Sequence, residues 1–166
     1  MKSAYLFSLV LITAMLFSCS TESSAPEPKS TELAVVEELG YDSLRAQQYG
    51  ADDYGMRKYI IAFLKRGPNR DLPKAEADSL QAAHMANIGR MADAGILAIA
   101  GPFFDDGDLR GIYIFAVESI EEAEELTKTD PAIQAGSLVM ELKEWYGSAA
   151  LMAVGEIHDK IAKIKF

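Results

Sequence analysis

The chain has 166 residues and carries 25 Asp and Glu against 16 Lys and Arg, which gives a formal net charge of −9. Because nucleic-acid phosphates repel so acidic a protein, we expect no nucleic-acid partner. Cys19 is the single cysteine, so an internal disulfide is excluded.

The N-terminus has the pattern of an export signal. Residues 6–17 are mostly apolar, too few to span a bilayer comfortably but typical of the apolar region of a signal peptide. This region ends in Leu16-Phe17-Ser18-Cys19, which resembles a bacterial lipoprotein signal. We therefore predict a signal peptide over residues 1–18 and lipidation of Cys19, a plain cleaved signal or an uncleaved anchor being the alternatives.

The residues after Cys19 predict a tether. Ser20 follows the cysteine, where an aspartate would favour retention at the inner membrane, so we expect a lipid anchor at the cell envelope, in the outer membrane of a Gram-negative bacterium. Residues 20–31 consist largely of Ser, Thr, Glu, Pro and Lys and predict a flexible spacer. Residues 32–54 contain a short apolar run, which we interpret as a docking segment; tether and docking segment together fill residues 19–55.

The folded domain is predicted over residues 56–147. Residues 57–65 read RKYIIAFLK, a continuous apolar run typical of a buried strand. Residues 73–94 have helical periodicity, and Gly95 is placed to end that helix. A second short strand over residues 96–100 follows, and it runs into Gly101-Pro102.

The second half of the domain repeats the alternation of strand and helix. A turn at residues 105–108 precedes a third strand over residues 109–117. A capping box, with Ser119 followed three residues later by Glu122, starts a second helix that is expected to run to about Lys128. Asp130-Pro131 is expected to stop it, and residues 138–145 form a fourth strand.

This order of elements predicts an α+β fold, the ferredoxin-like βαββαβ sandwich with both helices on one face of an antiparallel sheet. Residues 59–64 and 112–117 are apolar on both alternating sets of side chains, so the second face also needs a cover. We predict a homodimer with the sheets face to face. Residues 148–166 predict a C-terminal helix that packs on the domain or its partner, through Val154, Ile157, Ile161 and Ile164.

His84 is the only histidine in the central domain, and it shares one helical face with Leu80, Ile88 and Met91. It is therefore either a core histidine bonded to a carbonyl or a proton-transfer group in a pocket. A basic cluster around the first strand has two interpretations, attraction of an anionic ligand or balance of the acidic helix at residues 118–125, and we favour balance; it comprises Arg57, Lys58, Lys65, Arg66 and Arg70.

Several of these segments together resemble the YCII-related (YciI-like) domain, namely RKYIIAFLK, the helix around His84, ILAIAGPF, RGIYIFAVES, EEAEELTKTDPAIQAG and VMELKEWYG. The resemblance implies a dimeric α+β barrel with a pocket in which a histidine is paired with an aspartate, here His84 and Asp130. The family's Gly-Pro is Gly101-Pro102, which the resemblance places at the pocket. Few members have an assigned reaction, and one of these is a dehydrochlorinase of a chlorinated aromatic.

A histidine–carboxylate pair exchanges protons near neutral pH. No nucleophilic cysteine or Gly-x-Ser-x-Gly elbow is present, and no metal site, phosphate-binding loop or cofactor is predicted. The carboxylates of residues 105–108 lack the spacing of a calcium loop. Asp130 has a second interpretation, as a cap of the turn at Ala132 or Ile133. Two functions remain open: an enzyme that eliminates, isomerises or hydrolyses a small molecule, and a lipid-anchored binding or structural module.

Overall fold

The computed structural model describes residues 40–164. Cys19, the predicted signal peptide and the predicted tether therefore lie outside the described residues. The helices are α1 (Ser43–Tyr49), α2 (Lys74–Asp93), α3 (Ile120–Thr127), α4 (Pro131–Gln134) and α5 (Val154–Ile161), with a 3₁₀ turn at Ala149–Ala153. The strands are β1 (Met56–Arg66), β2 (Leu97–Pro102), β3 (Leu109–Phe115) and β4 (Leu138–Ser148).

The four strands form one antiparallel sheet in the order β2-β3-β1-β4. β1 lies inside the sheet, where Ile60 pairs with Phe115 of β3 on one side and with Glu144 of β4 on the other. This strand order, with α2 and α3 as the two connecting helices, confirms the predicted ferredoxin-like α+β fold.

The core lies between the sheet and the helices. Alternate side chains of β1 point into it, and Ile60 and Ala62 are fully buried. Met91 of α2 and Ala123 of α3 belong to the same cluster as these strand residues. This layer therefore fixes where α2, and with it His84, lies on the sheet.

The segment after α3 contains a short helix that was not predicted. α3 ends at Thr127, before Asp130-Pro131 as expected, and Pro131 begins α4 as its N1 residue. Proline is well tolerated there because the first N–H groups of a helix have no partner within the helix. Asp130 is therefore the N-cap of α4 as well as the end of the preceding turn.

The C-terminal segment lies partly on the sheet face opposite the helices. The 3₁₀ turn contacts β1 and β2, and Tyr59 and Ile114 of this face are buried. A C-terminal helix is present and contacts the domain, but its apolar residues are only partly covered in the single chain, and their packing on a partner stays a prediction. Ile157 is 54% exposed and Ile161 is 75% exposed, because α5 contacts mainly the 3₁₀ turn and the edge strand β2.

α1 lies within the predicted docking segment. It contacts the 3₁₀ turn, and the Arg57 guanidinium donates a hydrogen bond to the Tyr49 carbonyl over 3.0 Å. Among the helices within residues 40–164, none has both the length and the apolar composition needed to cross a bilayer.

Candidate active site

A pocket of about 450 Å³ opens between α2 and the helix-side face of the sheet. Its wall is mostly apolar, with Leu80 and Ile88 contributed by α2 and Leu64 by β1. Gly101 and Pro102, which the sequence placed at a pocket, line it from β2. A largely apolar wall with few polar groups is typical of a site for a small organic ligand.

His84 and Asp130 are in contact at the base of this pocket. The Nδ1 atom of His84 lies 2.9 Å from each carboxylate oxygen of Asp130. His84 is 8% exposed and lines the pocket, and Asp130 is fully buried. The two side chains come from different elements, the middle of α2 and the N-cap of α4, so only the tertiary fold brings them together.

The Asp130 carboxylate accepts hydrogen bonds from three directions. Besides the His84 ring, the backbone N–H of Ala132 donates to Oδ1 over 2.8 Å and the Tyr113 hydroxyl donates to Oδ2 over 3.2 Å. The bond from Ala132 is the capping contact considered as the alternative interpretation of Asp130. A structural role and a role beside His84 therefore coexist in one carboxylate.

Tyr113 is the third member of the cluster, and sequence reasoning missed it. Its hydroxyl lies 3.3 Å from Nε2 of His84 as well as close to Asp130. Burial raises the pKa of this hydroxyl above its ordinary value, and the charge of Asp130 raises it further. A signal was available, since a tyrosine inside the apolar run of β3 needs a hydrogen-bond partner when it is buried.

The cluster can hold His84 in two protonation states. In both states the Nδ1–H donates to Asp130, because a carboxylate can only accept. When the ring is neutral, the lone pair on Nε2 can accept the Tyr113 proton or a proton from a ligand. When the ring is protonated, Nε2–H can donate to the Tyr113 oxygen while the Tyr113 O–H donates to Asp130. The arrangement therefore suits reversible proton transfer at Nε2.

Close backbone contact shapes the β2–β3 edge of the pocket. Gly111 pairs with Pro102, and a methyl group at Gly111 would lie 2.6 Å from the carbonyl oxygen of Gly101. Glycine at this position lets the two strands approach where Gly101 and Pro102 line the pocket. Whether these two residues contact a ligand stays a prediction.

Two arginines also line the pocket, Arg70 from the β1–α2 loop and Arg110 from β3. The sequence interpretation placed Arg70 in a cluster that balances an acidic helix. Arg70 bonds to Ser137 instead, whereas Lys58 does reach the acidic segment, where it donates to the Glu118 carbonyl over 3.3 Å. Lys58 pairs with Glu144 and Lys65 with Glu141, both on the neighbouring strand β4.

Arg57 of the same cluster also contacts an acid, because its guanidinium lies 3.9 Å from the carboxylate of Glu118.

In the part of the chain that the structure describes, no three His, Cys, Asp or Glu side chains come together as a metal site requires.

Comparison with known proteins matches residues 59–146 to the model of the YCII-related domain. An uncharacterised protein of Bacillus subtilis strain 168, YjpA, is 34% identical over 64 residues, which are 39% of this chain and 73% of YjpA. A solved structure of 5-chloro-2-hydroxyhydroquinone dehydrochlorinase (TftG) from Burkholderia phenoliruptrix AC1100, in complex with 2,5-dihydroxybenzoquinone, matches with 22% identity and a TM-score of 0.41. That match covers 54% of this chain and 93% of the dehydrochlorinase. The family match at residues 59–146 includes most of β1, all of α2, β2 and β3, and nearly all of β4, so this chain belongs to the family of proteins with a YCII-related domain.

Proposed function

We propose that this protein is an acid–base enzyme for a small organic molecule, with His84 as the group that exchanges a proton with the substrate. The observation that carries the proposal is the different environment of the two ring nitrogens of His84. Nδ1 is fixed by a buried carboxylate, whereas Nε2 lies beside one hydroxyl at the base of an apolar pocket. An imidazole held in this way has one nitrogen oriented and the other available for chemistry.

In the proposed reaction, Nε2 of neutral His84 takes a proton from a carbon or oxygen of the substrate. The electron pair left on the substrate then expels a leaving group or shifts a double bond. In hydrolysis Nε2 instead takes the proton of a water molecule, whose oxygen bonds to the electrophilic atom of the substrate while the bond to the leaving group breaks. Asp130 stabilises the imidazolium through Nδ1–H, and Tyr113 can accept from Nε2–H. Return of the proton from Nε2 to the product or leaving group restores the neutral ring.

Deuterium exchange tests this proposal without knowledge of the natural substrate. The full chain is incubated in D₂O with a panel of small ketoacids and hydroxylated aromatics, and proton loss at carbon is followed by NMR. We expect exchange with wild type and its loss in His84→Gln, while His158→Gln, a change at the only other histidine, serves as the matched control. If the exchange rate is the same in wild type and His84→Gln, His84 is not the proton-transfer group.

The second candidate is a non-catalytic module in which the same cluster only joins α2 to the sheet. The hydrogen bond from Ala132 to Asp130 favours it, because this bond caps α4 with or without a ligand. Unfolding free energies distinguish the two functions. If His84→Gln and Asp130→Asn each cost more than about 2 kcal/mol and leave every ligand effect unchanged, the structural role accounts for the pair.

We further propose that the protein is a homodimer through the sheet face opposite the helices, called here the open face. Tyr59 and Ile114 of this face are covered by the chain itself. Val139 and Trp145 stay more than one third exposed, and Phe63 is half-buried beside them. An uncovered apolar area on a sheet favours association with a second sheet of the same kind.

For location, we propose a lipid anchor at Cys19 in the cell envelope, in the outer membrane. The support is the apolar stretch of residues 6–17 that ends at the single cysteine. In membrane fractionation of cells that produce the full chain, Cys19→Ala is expected to move the protein out of the membrane fraction and to change its mobility on a gel. Unchanged fractionation and mobility would contradict the anchor.

A further inference from the structure

We infer that Arg70 and Arg110 form an anion subsite in the pocket, and that the ligand is a small organic monoanion, a carboxylate or an ionised phenol on an apolar skeleton. The binding claim stands on the pocket alone, whereas the claim that this anion is the substrate rests on the proposed function of His84.

The first argument is charge. Lys58 and Lys65 each pair with a glutamate, but neither Arg70 nor Arg110 forms an ion pair with a carboxylate of residues 40–164. Nη1 of Arg70 donates to Ser137, to the backbone carbonyl over 3.1 Å and to the hydroxyl over 3.5 Å. An arginine remains protonated throughout the physiological range, so two positive charges border the pocket without a neutralising partner.

The second argument is that both guanidinium groups are held in place. Nη1 of Arg110 donates to the carbonyls of Asp105 and Gly107 over 2.8 Å and 3.3 Å. Among the described residues, only the Nη1 atom of Arg70 and of Arg110 makes hydrogen bonds, and each guanidinium carries five N–H groups. The other donors of each fork are therefore available to a carboxylate or phenolate, and a side chain that is already bonded loses less freedom when it binds one.

The loop that carries Arg70 is itself fixed to the turn before β4. The Gly67 N–H donates to the Ser137 carbonyl over 2.9 Å, and the Asn69 N–H donates to the Gly136 carbonyl over 3.0 Å. Arg70 donates to the same Ser137 carbonyl. The position of this guanidinium at the pocket is thus set by the backbone of the residues just before Arg70 and by its own bond to Ser137.

The third argument is the rest of the wall, which decides what the anion is attached to. Leu72, Leu80, Met85 and Leu138 line the pocket together with the arginines. At about 450 Å³ the pocket lies toward the small end of the range for organic ligands. Since the whole chain has a net charge of −9, a bound anion needs this local pair of cations to offset the general repulsion.

Three probes separate the contributions of charge and skeleton. Binding of benzoate, of neutral benzamide and of acetate to the full chain is measured by NMR titration. We expect benzoate to bind at least about tenfold more tightly than either of the others, because benzamide lacks the charge and acetate lacks the apolar ring. Equal binding of benzoate and benzamide, equal binding of benzoate and acetate, or no binding of benzoate would overturn the subsite.

Substitutions locate the anion. Arg70→Gln and Arg110→Gln are each expected to weaken benzoate binding about tenfold and benzamide binding less than about twofold. Arg66→Gln is the matched control, because Arg66 donates to the same hairpin, to the carbonyls of Asp106 and Gly107, but does not line the pocket. A loss in Arg66→Gln as large as in the other two variants would contradict the assignment.

If a glutamine variant does not fold, Arg70→Lys and Arg110→Lys replace it. Each keeps the charge but not the fork, so benzoate should still bind more tightly than benzamide, and the loss of that preference would count against the subsite. The deuterium exchange of His84→Gln separates this proposal from the one it rests on. If benzoate binding requires the arginines but the deuterium exchange rate is unchanged in His84→Gln, only the enzyme proposal is refuted. If exchange is lost in His84→Gln but benzoate binding does not require the arginines, only the subsite is refuted.

Discussion

At the scale of single residues, the Tyr113 hydroxyl has one proton and two acceptors within reach. It lies 3.2 Å from Oδ2 of Asp130 and 3.3 Å from Nε2 of His84. Because burial and the Asp130 charge raise its pKa, the hydroxyl keeps that proton to higher pH than an exposed tyrosine does. The Tyr113 O–H can therefore donate to His84 when that ring is neutral and to Asp130 when the ring is protonated.

The raised pKa of Tyr113 predicts that the free energy of unfolding depends on pH. Above pH 10.0, the ordinary value for tyrosine, the unfolded chain loses the Tyr113 proton while the folded chain keeps it. The contribution of Tyr113 is thus fully present below that pH and decreases above it, by at most about 1.4 kcal/mol per pH unit. Denaturant unfolding from pH 8 to 11 should show a shallower decline in Tyr113→Phe, after a loss of about 1 kcal/mol at neutral pH. Parallel curves would show that Tyr113 ionises equally in both states.

The contact between Asp130 and His84 predicts which ring nitrogen carries the proton. In wild type the neutral ring should carry it on Nδ1, facing the carboxylate. In Asp130→Ala no acceptor remains within reach of Nδ1, so the proton should move to Nε2, which can donate to the Tyr113 oxygen. Nitrogen-15 NMR of the ring at high pH measures this directly, with His158 as the internal control. The same tautomer in both proteins would contradict the geometry.

At the scale of secondary structure elements, the β1–α2 loop lies against the turn between α4 and β4. A methyl group at Gly67 would lie 2.2 Å from the Gly136 carbonyl oxygen and 2.7 Å from the carbonyl carbon of Ser137. Both neighbours are backbone atoms, so they cannot rotate away as a side chain would. The absence of a side chain at Gly67 is therefore what allows this loop to present Arg70 to the pocket.

Gly67→Ala is expected to destabilise the protein by about 3 kcal/mol, because the strands and the turn must separate to accept the methyl group. Gly101→Ala is the matched control, since a methyl group there has no atom within 4 Å, and it should change the free energy of unfolding by less than about 1 kcal/mol. Chemical denaturation of the three proteins measures both values. Equal stability of wild type and Gly67→Ala would show that the loop can move away from the turn.

The sequence predicts those elements whose signal is local. The apolar run of β1 and the helical periodicity around His84 place both elements within one residue of their observed bounds. The end of β4 was placed three residues early, because its extension to Ser148 depends on pairing with Met56 at the far end of the domain. α4 was missed because a proline that ends one helix can also begin the next.

The candidate site likewise contains residues that have a local sequence signal and residues that have none. His84 carries a signal of its own, a single histidine on an apolar helical face. Tyr113 lies inside an apolar strand, and nothing in its immediate neighbours reveals that β3 brings its hydroxyl to His84. Arg70 and Arg110 are 40 residues apart in the chain and come to one pocket only through the packing of α2 on the sheet. Contacts between distant segments have no pattern within a single sequence window.

At the scale of the whole molecule, the open face combines apolar residues with a chain of charges. Lys65 and Lys143 both pair with Glu141, next to Phe63 in the strand register. The hydrogen bond from Lys143, followed by that from Lys65, lowers the pKa of Glu141 to about 2. The glutamate therefore stays ionised far into the acid range. Its negative charge offsets part of the positive charge of the two lysines on the face that is proposed to meet a second sheet.

Val139 offers a test of the homodimer, because it lies on the open face opposite Lys65 and is 44% exposed in the single chain. Val139→Glu should leave the monomer folded but weaken dimerisation at least about tenfold, since a carboxylate would be buried between the sheets. Met85→Glu, on α2 at the opposite side of the sheet, is the matched control and should dimerise as wild type does. Sedimentation velocity over a range of concentrations measures all three. A wild-type protein that sediments as a monomer at micromolar concentration would refute the dimer, and dimerisation unchanged in Val139→Glu would place the interface on another surface.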